Sequence, residues 1–231
     1  MRTEKHIKDL SRKEYVEKAH EILEKEGAEA ISIRRLAKEL GCSSTSLYRH
    51  FSNLEELLFF AQLGYLQDYL EDLRGHEGAW NNVWESHIGV WECFSRQAFT
   101  TPEAFDCIFF GAQSKHLPEA LREYYEMFPE ELQILSGYLQ YMLQEGDFVK
   151  RDFYMSLRCL EAGVITLDNA IRMNHMSVYC FKGIFKGVLE QREKGEKKKT
   201  DVEQLVTEVV DCITDIVCMY AKDPLNIKRS K

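Results

Sequence analysis

Four polar signals punctuate the first part of the chain: Ser11-Arg12-Lys13-Glu14, Ser32, Ser43-Ser44 and Asn53-Leu54-Glu55-Glu56. Each sets an oxygen-bearing side chain just ahead of an apolar stripe at helical spacing. That pattern satisfies the free amides at the start of a helix. Gly27 and Gly41 stand where two of the stripes end, and glycine readily takes the positive φ that closes a helix. Tyr15, Ala19, Ile22 and Leu23 form the first stripe, and Ile33, Leu36, Ala37 and Leu40 the second. Leu47 and Phe51 form the third. A longer stripe, from Leu54 through Leu58 and Tyr65 to Leu70, forms the fourth. A segment so divided folds as three short helices and one long one, joined by tight turns.

The helical pattern continues. "RGHEGA" at 74–79 breaks the long helix, and further helices are expected over about 80–98, 102–112, 117–127, 129–145, 152–174 and 176–192. A charged loop spans 193–201, the last helix runs over about 201–221, and a basic tail follows. No stretch alternates as a strand does, and only four prolines interrupt 231 residues. The expected fold class is all-α.

The net charge is −8, but it is unevenly placed. Residues 1–54 carry a balance of +2 and the remainder −10. The N-terminus has no secretory apolar region, and no apolar run reaches the ~18 residues a membrane span needs. The seven cysteines show no C-x-x-C spacing, as for free thiols in a reducing cytoplasm rather than disulfides or a zinc site. No cofactor and no metal are expected. Enzyme signatures are missing too. Glu17-x-x-His20 has di-iron spacing, but such a site needs the motif twice. No H-E-x-x-H, G-x-S-x-G, phosphate loop or dinucleotide fingerprint occurs.

Residues 32–51 have the anatomy of a helix-turn-helix. The second helix starts with small hydroxyl residues, which let its N-terminus approach base edges and phosphates in a major groove. The candidate DNA-binding residues are Ser32, Arg34, Arg35, Ser43, Ser44, Thr45, Ser46, Tyr48, Arg49 and His50. Tyr48 and His50 suit phosphate oxygens, and Arg34 and Arg35 sit where the first helix crosses the backbone.

Residues 12–62 resemble the N-terminal domain of TetR-family transcriptional regulators. The resemblance rests on Gly27, Ile33, Leu36-Ala37, Gly41 and Leu47-Tyr48-x-His50-Phe51. It implies a DNA-binding domain over 9–69, joined through a long helix 4 to a helical ligand-binding and dimerisation domain over 70–231. It also implies a homodimer on an inverted-repeat double-stranded DNA operator, acting as a ligand-released repressor. Two positions depart from the family pattern. Leu54 stands where a phosphate-binding lysine is usual, and Thr45 where glycine is common.

In the body, Trp80, Trp84, His87, Trp91 and Phe94 share one face of the expected 80–98 helix. They read either as core or as the wall of a pocket for an apolar or aromatic effector, with His87 as polar contact. The pocket reading takes Trp84, His87, Trp91, Phe94, Phe109 and Tyr125. Glu161, Asp168 and His175 recur every seven residues, near Arg158 and Arg172, as a solvated edge or as a polar dimer seam. The apolar arc of the last helix is wider than one neighbour covers, which points to packing on a second subunit as well. The alternative function is a DNA-binding protein controlled by a protein partner, with no small ligand.

Overall fold

The computed structural model describes residues 10–76, 78–132, 135, 137–194 and 201–223, and these are helical with no strand among them. They form two compact units. The first runs to Leu66 and includes Glu119–Leu132; the second holds Gln67–Pro118 and the rest from Gln133. The first unit therefore takes a segment that the sequence reading placed in the body.

In the first unit, α1 (Arg12–Glu26), α2 (Ile33–Leu40), α3 (Ser44–Leu47) and α4 (Leu54–Gln62) follow the four cap signals. The Ser11 side chain accepts from the Glu14 amide, and Glu14 reaches back to Ser11. Ser32 caps α2 through the Arg35 amide, Ser43 caps α3 through Ser46, and Asn53 caps α4 through Glu56. α1 packs on α4 and α2. Tyr15, Leu36, Leu47, Phe51 and Leu57 are fully buried between them. The Arg12 guanidinium lies 4.2 Å over the Phe60 ring and pairs with Glu56 at 2.9 Å. It also pairs with Glu123, tying α1 to the 119–132 segment of the same unit.

The long helix 4 is interrupted. A 3-10 turn over Leu63–Tyr65 separates α4 from α5 (Leu66–His76). A Cβ at Gly64 would meet His20 Cε1 at 2.8 Å and Tyr124 Oη at 3.2 Å, so this turn requires a residue without a side chain. His20 itself sits 2.8 Å from the Ala61 carbonyl through Nδ1, and Glu17 lies 3.9 Å from Lys13. The Glu17-x-x-His20 spacing is thus accounted for by packing.

The second unit is built from α5, α6 (Val83–Thr100), α7 (Pro102–Phe109), α9 (Gly137–Leu143), α10 (Phe148–Glu161), α11 (Leu167–Glu193) and α12 (Val202–Tyr220). α8 (Leu117–Met127) begins here and ends in the first unit. Asn82 caps α6, so Trp80 stays outside it, and its indole covers Gly89. The helix expected over 129–145 becomes a 3-10 turn at Pro129–Glu131 and then α9. The expected 152–174 helix also fails. It breaks at Gly163, whose φ is +70°, and restarts after the Thr166 cap. Glu161 therefore ends α10, while Asp168 and His175 lie on α11, and no single helix carries all three. Most of the wide arc of α12 is covered within the unit, with Val202, Leu205 and Tyr220 left half-buried. Val206, Val209, Val210, Ile213, Ile216 and Val217 are buried where α12 packs against α6 and α11. Residues 195–200 of the charged loop, and the tail from 224, lie outside the described residues.

Candidate nucleic-acid interface

Gly41 ends α2 in the left-handed conformation, with φ 70° and ψ 26°. The Cys42 amide then donates to the Ala37 carbonyl at 2.9 Å, turning the chain into α3 within two residues. α3 is only four residues long. Leu47 and Ser46 anchor it in the core, at 0% and 3% exposure. Ser43, Thr45, Tyr48 and Arg49 are exposed, and Ser44 is half-buried. Hydroxyl groups thus face solvent at the N-terminal end of α3, the end suited to enter a groove, and Tyr48 and Arg49 at its other end.

The ten predicted residues do not behave alike. Ser32 and Ser43 are exposed but spend their side chains as caps. Arg34 is exposed, whereas Arg35 is spent inside the unit. Its guanidinium bonds Glu26, Glu39 at 2.8 Å and the Ala30 carbonyl at 3.2 Å. Those bonds raise the Arg35 pKa further and hold Glu26 and Glu39 below the usual carboxylate range. Ser46 faces the core, which removes it from the surface. His50 is half-buried, its ring 5.5 Å from that of Tyr15. Tyr48, at 55% exposure, is the most open aromatic of the set. Lys38 is exposed one turn beyond Arg34, a cation that the sequence reading missed although the i, i+4 spacing signals it. Leu54, the first residue of α4, is half-buried, so the usual lysine position carries no charge.

Five of the six predicted pocket residues lie in the second unit: Trp84, His87, Trp91, Phe94 and Phe109, all buried. Tyr125 lies in the 119–132 segment of the first unit, against Tyr124. The Phe94 ring is 5.0 Å from Phe109, 5.2 Å from Phe148 and 5.2 Å from Phe181. These rings fill the centre, and the cavity left beside Tyr69, Trp91, Arg151 and Asp152 is about 20 Å³, room for one water. The polar atoms around this centre are unusual. Neither ring nitrogen of fully buried His87 has a hydrogen-bond partner, nor do the hydroxyls of Ser95 and Ser156. Burial lowers the His87 pKa to about 4 and raises that of Asp152 to about 8, so both are mostly uncharged at neutral pH. A larger space, about 440 Å³, is an open groove between α10 and α11, lined by Val149, Phe153, Leu157, Leu167, Ile171 and neighbours.

Residues 16–59 match the profile of the family described as bacterial regulatory proteins, tetR family. An HTH-type transcriptional regulator of Staphylococcus aureus is 26% identical over 188 residues, covering 80% of this chain and 96% of that protein. The chain carries the N-terminal domain of TetR-family regulators. A further HTH-type regulator, from Staphylococcus aureus strain USA300, is 42% identical over 50 residues, covering 22% of this chain and 27% of its own. A solved protein of unknown function from Rhodococcus sp. RHA1 shares the fold, with a TM-score of 0.53 at 21% identity over 92% of this chain and 97% of that one. The chain is therefore a DNA-binding transcriptional regulator with a TetR-type helix-turn-helix at its N-terminus. Among the described residues, no helix is long and apolar enough to cross a membrane.

Proposed function

We propose that this regulator is a cytoplasmic, non-enzymatic repressor that binds an inverted-repeat operator as a homodimer and is released by a small apolar or aromatic effector. The observation that carries the operator reading is the α3 surface. Thr45 and Ser44 stand at the tip that reaches base edges, and Tyr48, Arg49, Arg34 and Lys38 surround it with phosphate-binding groups. Pairing is supported by the exposed apolar side chains Leu167, Ile171, Met176 and Tyr179 of α11, which meet water unless a second copy covers them. Two heads on one dimer read half-sites about one helical turn apart. The effector reading is supported by the unpartnered polar atoms of His87, Ser95 and Ser156 beside the aromatic centre, since a ligand with one or two polar groups would satisfy them. The filled centre favours a second reading, in which a protein partner occupies the α10–α11 groove and no small ligand is used.

Fluorescence anisotropy on an operator selected from random DNA tests the first reading. Tyr48→Ala should weaken operator and non-operator DNA alike by about fivefold, the worth of one ordinary hydrogen bond. Thr45→Gly should change which sequence is selected. Unchanged affinity in the first variant and unchanged selection in the second would remove the α3 surface from DNA. A screen of aromatic compounds for operator release then separates the two effector readings.

A further inference from the structure

Asp72, His76 and Cys93 converge in the second unit, with one ligand atom from each within 4.8 Å of the others. None of the three takes part in the DNA surface or the aromatic pocket described above. Asp72 and His76 are one helical turn apart on α5, which puts both side chains on one face. Cys93 comes from α6, which lies alongside. His76 Nδ1 is 3.3 Å from Asp72 Oδ1 and 3.9 Å from Cys93 Sγ. Tetrahedral zinc, with bonds of about 2.0 Å to nitrogen and oxygen and about 2.3 Å to sulfur, sets its nitrogen and oxygen ligands about 3.3 Å apart and its nitrogen and sulfur about 3.6 Å apart. The His76–Asp72 and His76–Cys93 distances are within a few tenths of an ångström of that geometry, and the Asp72 carboxylate lies within 4.8 Å of Cys93 Sγ.

We propose that Asp72, His76 and Cys93 form a binding site for a divalent first-row transition ion of the zinc type, with the fourth position open to water. The ligand chemistry selects the class of ion. A thiolate and an imidazole disfavour magnesium and calcium, while one thiolate, one imidazole and one carboxylate suit zinc and cobalt. The surroundings hold the ligands. The His76 ring stacks on Trp80 with the planes 13° apart, and Trp80 is seated on Gly89, where any Cβ would strike its indole. His76 is half exposed, which leaves the fourth side open, while Cys93 closes the site from within at 3% exposure. On binding, the ion replaces the Cys93 thiol proton, which leaves to solvent; at His76 the Nδ1 proton that otherwise meets the Asp72 carbonyl at 2.9 Å is exchanged for one on Nε2, so the imidazole stays neutral and one proton is released in all. A nucleophilic Cys-His-Asp triad does not fit. There the thiol and the carboxylate take opposite ring nitrogens, whereas here both face Nδ1. The site needs only α5 and α6, so it stands apart from the operator reading.

Cobalt(II) is the probe. Full-length protein stripped of metal and kept reduced should take up one equivalent, with thiolate-to-cobalt absorption and the strong visible bands of a tetrahedral ion, and zinc should bleach both. Cys93→Ser should abolish the thiolate absorption, and His76→Ala should lower cobalt affinity at least tenfold. His76 is exposed enough for its variant to keep the wild-type helical spectrum, which guards against loss of folding as the cause. Wild-type protein without thiolate–cobalt absorption would overturn the proposal. So would full cobalt affinity in a folded His76→Ala protein, or the same absorption in Cys93→Ser, which would place the ion on another of the seven thiols.

Discussion

Arg34 and Arg35 are adjacent in sequence and opposite in use. Arg35 is held by two carboxylates and a carbonyl, and Arg34 faces solvent. Arg35→Ala should lower the melting temperature by a few degrees, less so in high salt because the pairs are exposed. Arg34→Ala should leave melting unchanged and reduce the salt slope of DNA binding by about one. Calorimetry and a salt titration read the two effects. Glu39, four residues after Arg35 on α2, is readable from the spacing, but the second partner, Glu26, becomes visible only once α1 and α2 are packed. Two buried groups give a pH signature. Asp152 rises from 3.8 to about 8 on folding, so the folded state holds an extra proton between those values and stability falls as pH rises through that window. His87 falls from 6.5 to about 4, so the unfolded state holds the extra proton there and stability rises with pH through that window. The two offset each other from about pH 4 to 6.5 and leave a net decline from about 6.5 to 8. Urea melts across that range should show the decline, and Asp152→Asn should remove it.

The capped elements of the first unit were legible because their signals are local. Ser11, Ser32, Ser43 and Asn53 each satisfy an amide three residues away, so adjacent sequence contains the whole interaction. Ser11→Ala should cost about 1 kcal/mol of stability. Gly41→Ala should cost about 1–2 kcal/mol, because any Cβ resists the left-handed turn between α2 and α3. Denaturant midpoints test both. The break between α10 and α11 was not read, although Gly163 and the Thr166 cap are local signals of the same kind. "EAGVITLD" has no proline, and Val164 and Ile165 continue the apolar pattern straight through it. What holds that bend is distant in sequence: the Lys222 amide donates to the Val164 carbonyl at 3.0 Å, and the Lys222 ammonium to the Gly163 carbonyl at 2.8 Å. The Asp72–His76–Cys93 cluster escaped for the same reason. Its cysteine lies 17 residues from its histidine, so motif spacing cannot disclose it. The α12 arc is ambiguous for the opposite reason, since two neighbours in one chain leave the same imprint as one neighbour and a partner.

At the scale of the whole molecule, the acidic balance lies beyond residue 54, so attraction to DNA rests on the few cations of the first unit. Operator affinity should fall steeply and linearly on a log–log plot against salt. Self-association should depend instead on α11. Ile171→Glu places a charge beside exposed Leu167 on α11 and should shift sedimentation toward the monomer while leaving the helical spectrum unchanged. The aromatic inventory is divided as sharply as the charge. All three tryptophans, at 80, 84 and 91, belong to the second unit, while the described aromatic residues of the first are tyrosines and phenylalanines. Indole emission is therefore a private optical label of the second unit. If that unit melts alone, its colour change will run ahead of or behind the loss of helix signal; if the two melt as one, the curves will superimpose.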